Sequence, residues 1–326
     1  MVNLREKVYR MFVLGTEGGG YKNALKNGLG GVIFFTKDIQ SVAQIKKLTD
    51  ECIGIAKFPP FISIDQEGGR VERTENIHNG KKYLSAKFAF EKGILKEQTE
   101  NIALELKELG FNLNFAPCID VNTNPNNPII GERAFSSDVR DVIEAGKIVS
   151  ETYLQNGIIP CVKHYPGHGD ANADSHLTLP EIDLPLSEME KTHIAPFKSA
   201  VENGIRIIMA AHLHCKCFDR NIVPASLSKN ALDYLRNKLT FDGIIISDDM
   251  VMQGVASHYS PLEACLNGIK AGLNMFIYRN SAPETIDTIE QIVRVAEQEK
   301  ALREKIELSY QKIQSTVESC LHKTSF

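Results

Sequence analysis

The sequence predicts an α/β protein built as a single (β/α)8 barrel domain over residues 1–326, and three observations carry that expectation. Eight short apolar or β-branched runs recur along the chain, with amphipathic stretches of helical period between most of them. The runs are apolar nearly throughout rather than alternating, which suits parallel strands covered on both faces. Titratable residues gather at their carboxyl ends, the end at which a barrel of this kind presents its site-building loops.

In chain order the expected strands are 11–14, 31–35, 61–65, 111–116, 158–164, 205–210, 243–247 and 273–278. The first leads into Gly15-Thr16-Glu17-Gly18-Gly19-Gly20. Glu17 stands where a phosphate-binding turn avoids negative charge, which argues against the alternative of an open doubly wound sheet. Helical patterns cover 41–56, 98–109, 139–156, 187–203 and 228–238, and a last one at about 282–320 would close the barrel. Polar residues follow the strands in a consistent way. Asp65 ends the third, residues 114–120 end the fourth, Lys163 and His164 end the fifth, His212 and His214 follow the sixth, and Asp248 and Asp249 end the seventh.

Composition narrows the class of function. With 43% hydrophobic and 24% charged residues the chain has ample material for a core. A net charge of -4 without any block of like charge points away from nucleic acid and from a membrane surface. No run approaches the roughly 18 apolar residues of a membrane helix, and the first residues carry no secretory pattern. Seven cysteines scattered from Cys52 to Cys320 suit a reducing compartment rather than a disulfide framework. The expectation is a cytoplasmic protein, a monomer with no cofactor and no metal.

The densest chemistry lies in residues 163–180, Lys-His-Tyr-Pro-Gly-His-Gly-Asp-Ala-Asn-Ala-Asp-Ser-His-Leu-Thr-Leu-Pro. Three histidines, a lysine and two aspartates among bending residues make poor core and an unusual solvated loop. The segment 164–177 is therefore expected to be an active-site loop. Gly167 and Gly169 would allow a sharp exit from the fifth strand, and the small residues 171–173 would let the loop act as a flap.

Four stretches together resemble family 3 glycoside hydrolases. They are Ile-Asp-Gln-Glu-Gly-Gly-Arg-Val at 64–71, Asn-Pro-Ile-Ile-Gly-Glu-Arg-Ala-Phe at 127–135, Lys-His-Tyr-Pro-Gly-His-Gly with Asp-Ser-His at 163–176, and Ile-Ser-Asp-Asp-Met at 246–250. The chain looks most like the single-domain β-N-acetylglucosaminidases of bacterial peptidoglycan recycling. That resemblance implies a retaining exo-β-N-acetylhexosaminidase acting on a small carbohydrate or muropeptide, such as GlcNAc linked to 1,6-anhydro-N-acetylmuramic acid. It gives Asp248 the role of nucleophile, leaves Asp249 structural, and matches Asp65, Arg73, Arg133, Lys163 and His164 to sugar-binding positions.

A retaining glycosidase also needs a proton donor at the glycosidic oxygen, usually a carboxylic acid about 5–5.5 Å from the nucleophile. Here His176 fits. Asp174 and His176 flank Ser175, and in extended backbone such residues point to one side, so the carboxylate can orient the imidazole. A histidine titrating near pH 6.5 can give a proton and later take one from water. The resembled subfamily carries such an Asp-His dyad in this loop. Arg70 reads equally well as a rim salt bridge, and His168 as a holder of the loop.

The chain departs from the family pattern at residues 212–217, His-Leu-His-Cys-Lys-Cys, and at Asn274. The first departure supports a rival reading, a metal-dependent barrel hydrolase with His212, His214 and Asp248 as ligands. Three further alternatives are a β-N-acetylglucosaminide phosphorylase, a β-glucosidase and a non-catalytic sugar binder.

Overall fold

The computed structural model describes residues 2–172 and 179–321. Asn3 opens the chain's first helix, Leu4–Arg10, through a capping box with Glu6, and the helix delivers the buried Met11 into the first strand. Among the described residues ten strands follow in chain order: β1 Phe12–Glu17, β2 Gly31–Phe34, β3 Phe61–Ile64, β4 Leu113–Asn114, β5 Ile159–Tyr165, β6 Glu181–Ile182, β7 Ile207–Ala210, β8 His214–Cys215, β9 Ile244–Asp249 and β10 Met275–Asn280. Eight of them form one closed barrel in the order β1-β10-β9-β7-β5-β4-β3-β2, every pair parallel. The expected (β/α)8 architecture is what the chain adopts.

Apolar runs become barrel strands because both of their faces are covered. The residues of β2, β3, β5 and β7 are buried throughout, whereas β1, β9 and β10 lose burial only at their carboxyl ends. That end is where the titratable residues sit. β4 is shorter than expected because Pro117, having no N–H, cannot continue a regular ladder. Its contact with β5 persists irregularly: Cys161 and Lys163 donate to the carbonyls of Ala116 and Pro117 at 3.1 and 3.2 Å, and Ile119 donates to Lys163 at 2.9 Å.

Two expected helices are broken. The pattern at 187–203 resolves into Leu186–Lys191 and Ala195–Glu202, since Pro196 is tolerated only in a first turn and forces a restart. The pattern at 282–320 resolves into Pro283–Gln298 and Lys300–Leu321, parted by Glu299 in extended conformation. A π-helical turn, Tyr234–Lys238, ends the helix begun at Lys229. The helices Tyr21–Lys26, Ala86–Glu91 and Pro261–Ala271 had no counterpart in the expectation.

A second, two-stranded parallel sheet joins β6 to β8 outside the barrel. Residues 173–178 of the loop before β6, which include Asp174 and His176, lie outside the described residues. Among the described residues no helix is long and apolar enough to cross a membrane. The seven cysteines are all free thiols.

Candidate active site

Asp65 directly follows β3, and the segment after it is held by side chains of its own sequence. Asn114 of β4 accepts from the Gln66 backbone N–H at 2.9 Å and donates to the Gln66 carbonyl at 2.8 Å. The Gln66 side chain donates to Glu72 at 2.5 Å and accepts from the Arg73 N–H at 2.8 Å. Gly68 and Gly69 have φ of 93° and 61°, so the turn between Glu67 and Val71 uses backbone that other residues rarely adopt. The result is a fixed platform for Asp65 and Glu67.

On that platform three charged side chains meet. Lys163, the fifth residue of β5, donates to Asp65 Oδ1 at 2.7 Å and contacts Glu67 Oε1 at 2.5 Å. Arg133, from the short turn Gly131–Arg133, grips the same Glu67 with two hydrogen bonds of 2.9 and 2.8 Å. Burial alone would raise the Glu67 carboxyl, but Arg133 and Lys163 outweigh it and hold it well below the usual carboxylate range. Burial would likewise lower Lys163 and Arg133, and the facing carboxylates reverse that, so both stay charged. Lysine has three N–H donors, and among the described residues Asp65 and Glu67 engage two of them.

A second buried carboxylate orients His164. Asp120 is fully buried, and its Oδ2 lies 2.7 Å from His164 Nδ1 while Oδ1 accepts the His168 backbone N–H at 2.6 Å. The Nδ1 proton is thereby fixed toward Asp120, and Nε2 is left to accept from Arg133 Nη2 at 3.3 Å. Burial pushes Asp120 up, and the facing His164 with the His168 N–H pulls it well below its ordinary value. His168 is driven down to about 4 by burial, so it is uncharged at neutral pH and serves the loop through its backbone, with Asn127 bonding its carbonyl at 2.8 Å.

Asp248 and Asp249, neighbours at the end of β9, have different environments. Asp248 Oδ1 accepts the Asp249 N–H at 2.7 Å. Burial raises the Asp248 carboxyl, but the fields of His164, His212 and Lys163, with that N–H, bring it below the ordinary value. Asp249 instead pairs with the Arg279 guanidinium and accepts from the N–H groups of Val251 and Arg279, each at 3.2 Å. Its carboxyl is raised by burial. Of the two, Asp248 is the ionised carboxylate facing the cations, and Asp249 is bound to the wall.

The sequence-predicted residues are therefore not all equally placed. Asp65, Arg133, Lys163 and His164 form one connected network, with Asp248 in its electrostatic reach. Arg73 stands apart, its guanidinium 5.8 Å over the Phe35 ring and its Nε buried without a hydrogen-bond partner among the described residues. Arg70 donates to the Pro128 carbonyl at 3.0 Å. Glu67 and Asp120 organise the network and were not singled out from sequence. Glu67 lies inside the quoted 64–71 stretch and Asp120 at the end of the 114–120 run, so position at a strand end was the available signal.

The proposed metal pair does not converge. His212 has both ring nitrogens engaged, Nδ1 with Ser226 Oγ at 2.8 Å and Nε2 with the Asp249 carbonyl at 3.2 Å. His214 Nδ1 lies 3.2 Å from the Val223 carbonyl, and its backbone belongs to the β6–β8 sheet. The described residues bring three ligand-type atoms together only at Cys118, Asp120 and His164, which are already bonded to one another.

Residues 3–316 match the family described as "Glycosyl hydrolase family 3 N terminal domain". The chain belongs to this family. Among similar proteins, a "Beta-hexosaminidase" of Nitrosomonas eutropha is 32% identical over 275 residues, 80% of this chain and 76% of that protein. "Beta-hexosaminidase A" of Pseudoalteromonas piscicida is 32% identical over 269 residues, 76% of this chain. A solved family 3 β-N-acetylglucosaminidase from Paenibacillus sp. superposes with a TM-score of 0.92 at 28% identity over 100% of this chain. The chain spans 45% of the Pseudoalteromonas protein and 64% of the Paenibacillus chain. Family 3 membership agrees with the resemblance carried by the four motif stretches.

Proposed function

We propose that this family 3 chain is a retaining exo-β-N-acetylhexosaminidase that removes a terminal β-linked GlcNAc, with Asp248 as nucleophile and His176, oriented by Asp174, as acid/base. The observation that carries the reading is Asp248, a carboxylate kept ionised at a strand end opposite a buried cationic cluster. The names of the similar proteins, β-hexosaminidase and β-N-acetylglucosaminidase, support the choice of sugar.

In the first half-reaction an Asp248 oxygen bonds to the anomeric carbon as the glycosidic C–O bond breaks, and the imidazolium of His176 gives its proton to the leaving oxygen. In the second, His176 takes a proton from water, the water oxygen bonds to the anomeric carbon, and the ester to Asp248 breaks. Two inversions give net retention. Asp65, Lys163, Arg133, His164 and Arg73 would hold the sugar hydroxyls and acetamido group by directed hydrogen bonds. The physiological substrate in this reading is a small muropeptide carrying GlcNAc on 1,6-anhydro-N-acetylmuramic acid, met in the cytoplasm by a monomer whose barrel is the catalytic domain.

Hydrolysis of an aryl β-N-acetylglucosaminide beside the matching β-glucoside, with chelator and without phosphate, tests the proposal. Cleavage of the acetamido sugar alone is expected. Cleavage of the glucoside, or activity that appears only with phosphate or metal, overturns it.

A further inference from the structure

We propose that His212 is a positioning residue for the nucleophile, acting through the backbone of Asp249; the proposal rests on the reading of Asp248 as nucleophile. His212 is 1% exposed and its partner Ser226 is fully buried. Nδ1 lies 2.8 Å from the Ser226 hydroxyl and Nε2 3.2 Å from the Asp249 carbonyl; a carbonyl only accepts, so we assign the proton to Nε2 and let the Ser226 hydroxyl donate to Nδ1, the neutral tautomer. Burial lowers the affinity of this imidazole for a second proton, in keeping with that assignment.

What His212 holds is the residue that holds the nucleophile. The Asp249 N–H is the donor at 2.7 Å to Asp248 Oδ1. The peptide that follows Asp249 is pinned on both sides, by His212 at its carbonyl and by the Ile277 carbonyl, which accepts the Met250 N–H at 2.9 Å. The Asp249 carboxylate is fixed by Arg279 and Val251. Holding the Asp249 carboxylate and the peptide that follows it restrains rotation about this residue, and so helps to keep its N–H on the Asp248 oxygen. The 212–217 departure from the family pattern thus contains a residue turned toward the nucleophile's strand rather than toward a metal.

Removing the imidazole would take from the Asp249 carbonyl one of its two hydrogen bonds, leaving that from the Met252 N–H at 3.0 Å, and would strip the buried Ser226 hydroxyl of its His212 partner. A displacement of reacting atoms by a fraction of an ångström to 1 Å costs up to about 100-fold in rate. The groups facing Asp248 are His164, His212, Lys163 and Asp249. Among the described residues His164, Lys163 and Asp249 are the groups the test must hold constant; a neutral His212 acts on Asp248 through the Asp249 N–H, so a moved titration of Asp248 reports the loosening of that hydrogen bond.

The experiment compares His212→Leu with His212→Gln, the second keeping an N–H donor near the Nε2 position. Expected for His212→Leu are a kcat lower by about 10- to 100-fold, a nearly unchanged KM on the aryl β-N-acetylglucosaminide, and an acid limb of kcat/KM moved to higher pH. His212→Gln should recover most of both. A folded His212→Leu protein with wild-type kcat and acid limb overturns the proposal, as does equal loss in both variants with the limb unmoved, which is the mark of a merely structural role. Two readouts stand apart from catalysis: ¹³C titration of the Asp248 carboxyl, expected to rise in His212→Leu, and ¹⁵N shifts of the wild-type imidazole, expected to show neutral Nε2–H. A charged His212 at neutral pH, or an unmoved Asp248 titration, overturns the inference even if the wild-type protein cleaves neither aryl sugar, an outcome that by itself defeats only the functional reading.

Discussion

Replacing Glu67 by glutamine removes one negative charge from a buried site at which two cations converge. Lys163 is 2% and Arg133 9% exposed, and each is bonded to the Glu67 carboxylate. The amide oxygen of a glutamine still accepts a hydrogen bond, but Asp65 is then the one carboxylate among the described residues paired with either cation, and Asp120 reaches Arg133 only through its field. Removing one partner of a buried ion pair costs about 3–5 kcal/mol. Spread over 326 residues at an unfolding entropy of about 2.1 cal/mol/K each, that loss lowers Tm by about 4–7 °C. The pH dependence has a definite sign. A carboxyl whose folded-state value is depressed contributes stability above its unfolded value of about 4.3 and loses it as the pH falls toward the lower folded value. Below about pH 5 the wild-type protein should therefore lose stability more steeply than Glu67→Gln. Asp120 is depressed in the same sense, so the variant's acid limb becomes shallower rather than flat. Thermal melts from pH 7 to pH 3, with KM on the aryl β-N-acetylglucosaminide at pH 7, measure the effect; KM should rise as Lys163 and Arg133 lose their setting. A variant that melts within a degree of wild type at pH 7 and shows the same acid limb would refute the reasoning.

Four further outcomes are expected. Asp248→Ala should reduce turnover by orders of magnitude with the melting temperature preserved, and near-normal turnover would remove it as nucleophile. His176→Ala should slow muropeptide substrates far more than aryl glycosides with good leaving groups, and equal losses on both would contradict the acid role. Asp120→Asn should lower kcat/KM by about 10- to 100-fold, the kinetic equivalent of a charged hydrogen bond worth about 1.5–3 kcal/mol, and unaltered kinetics would show that His164 needs no such orientation. Gly169→Ala places a methyl 1.7 Å from the Val121 carbonyl oxygen, so the 168–172 segment must move. Activity should fall more than stability, and a wild-type kcat would uncouple that segment from catalysis.

Most strands and the network's members Asp65, Arg133, Lys163 and His164 could be read from the residues because each depends on local pattern. Apolar runs such as 158–164 declare a buried parallel strand, and charged residues at the end of a run declare the barrel's open face. Glu67 and Asp120 escaped because their roles are nonlocal. Asp120 matters only once β4 lies beside β5 and brings residues 164 and 168 onto one carboxylate. Glu67 becomes a hub only when Arg133 arrives from the loop after β4 and Lys163 from β5. The broken helices have local causes of different strength. Pro196 marked one break, while Glu299, an ordinary helix-compatible residue, gave no sign that the chain extends there. The role of His212 was hidden for another reason: its spacing to His214 suggested only a rival of shared ligation, whereas each ring is committed to its own wall of the fold.

The barrel closes where β1 meets β10, so its first strand in chain order takes its second neighbour from its last. During translation Phe12–Glu17 can pair with β2 early, but its other edge stays open until Met275–Asn280 has left the ribosome. Sheet pairings of such sequence separation are slow to form and leave strand edges exposed meanwhile. The network of Asp65, Lys163 and Asp248 draws on β3, β5 and β9, and so it too comes together late in the life of the nascent chain. A ribosome that stalls before Met275 would release a chain bearing two unpaired edges, a substrate for chaperones rather than an enzyme in waiting.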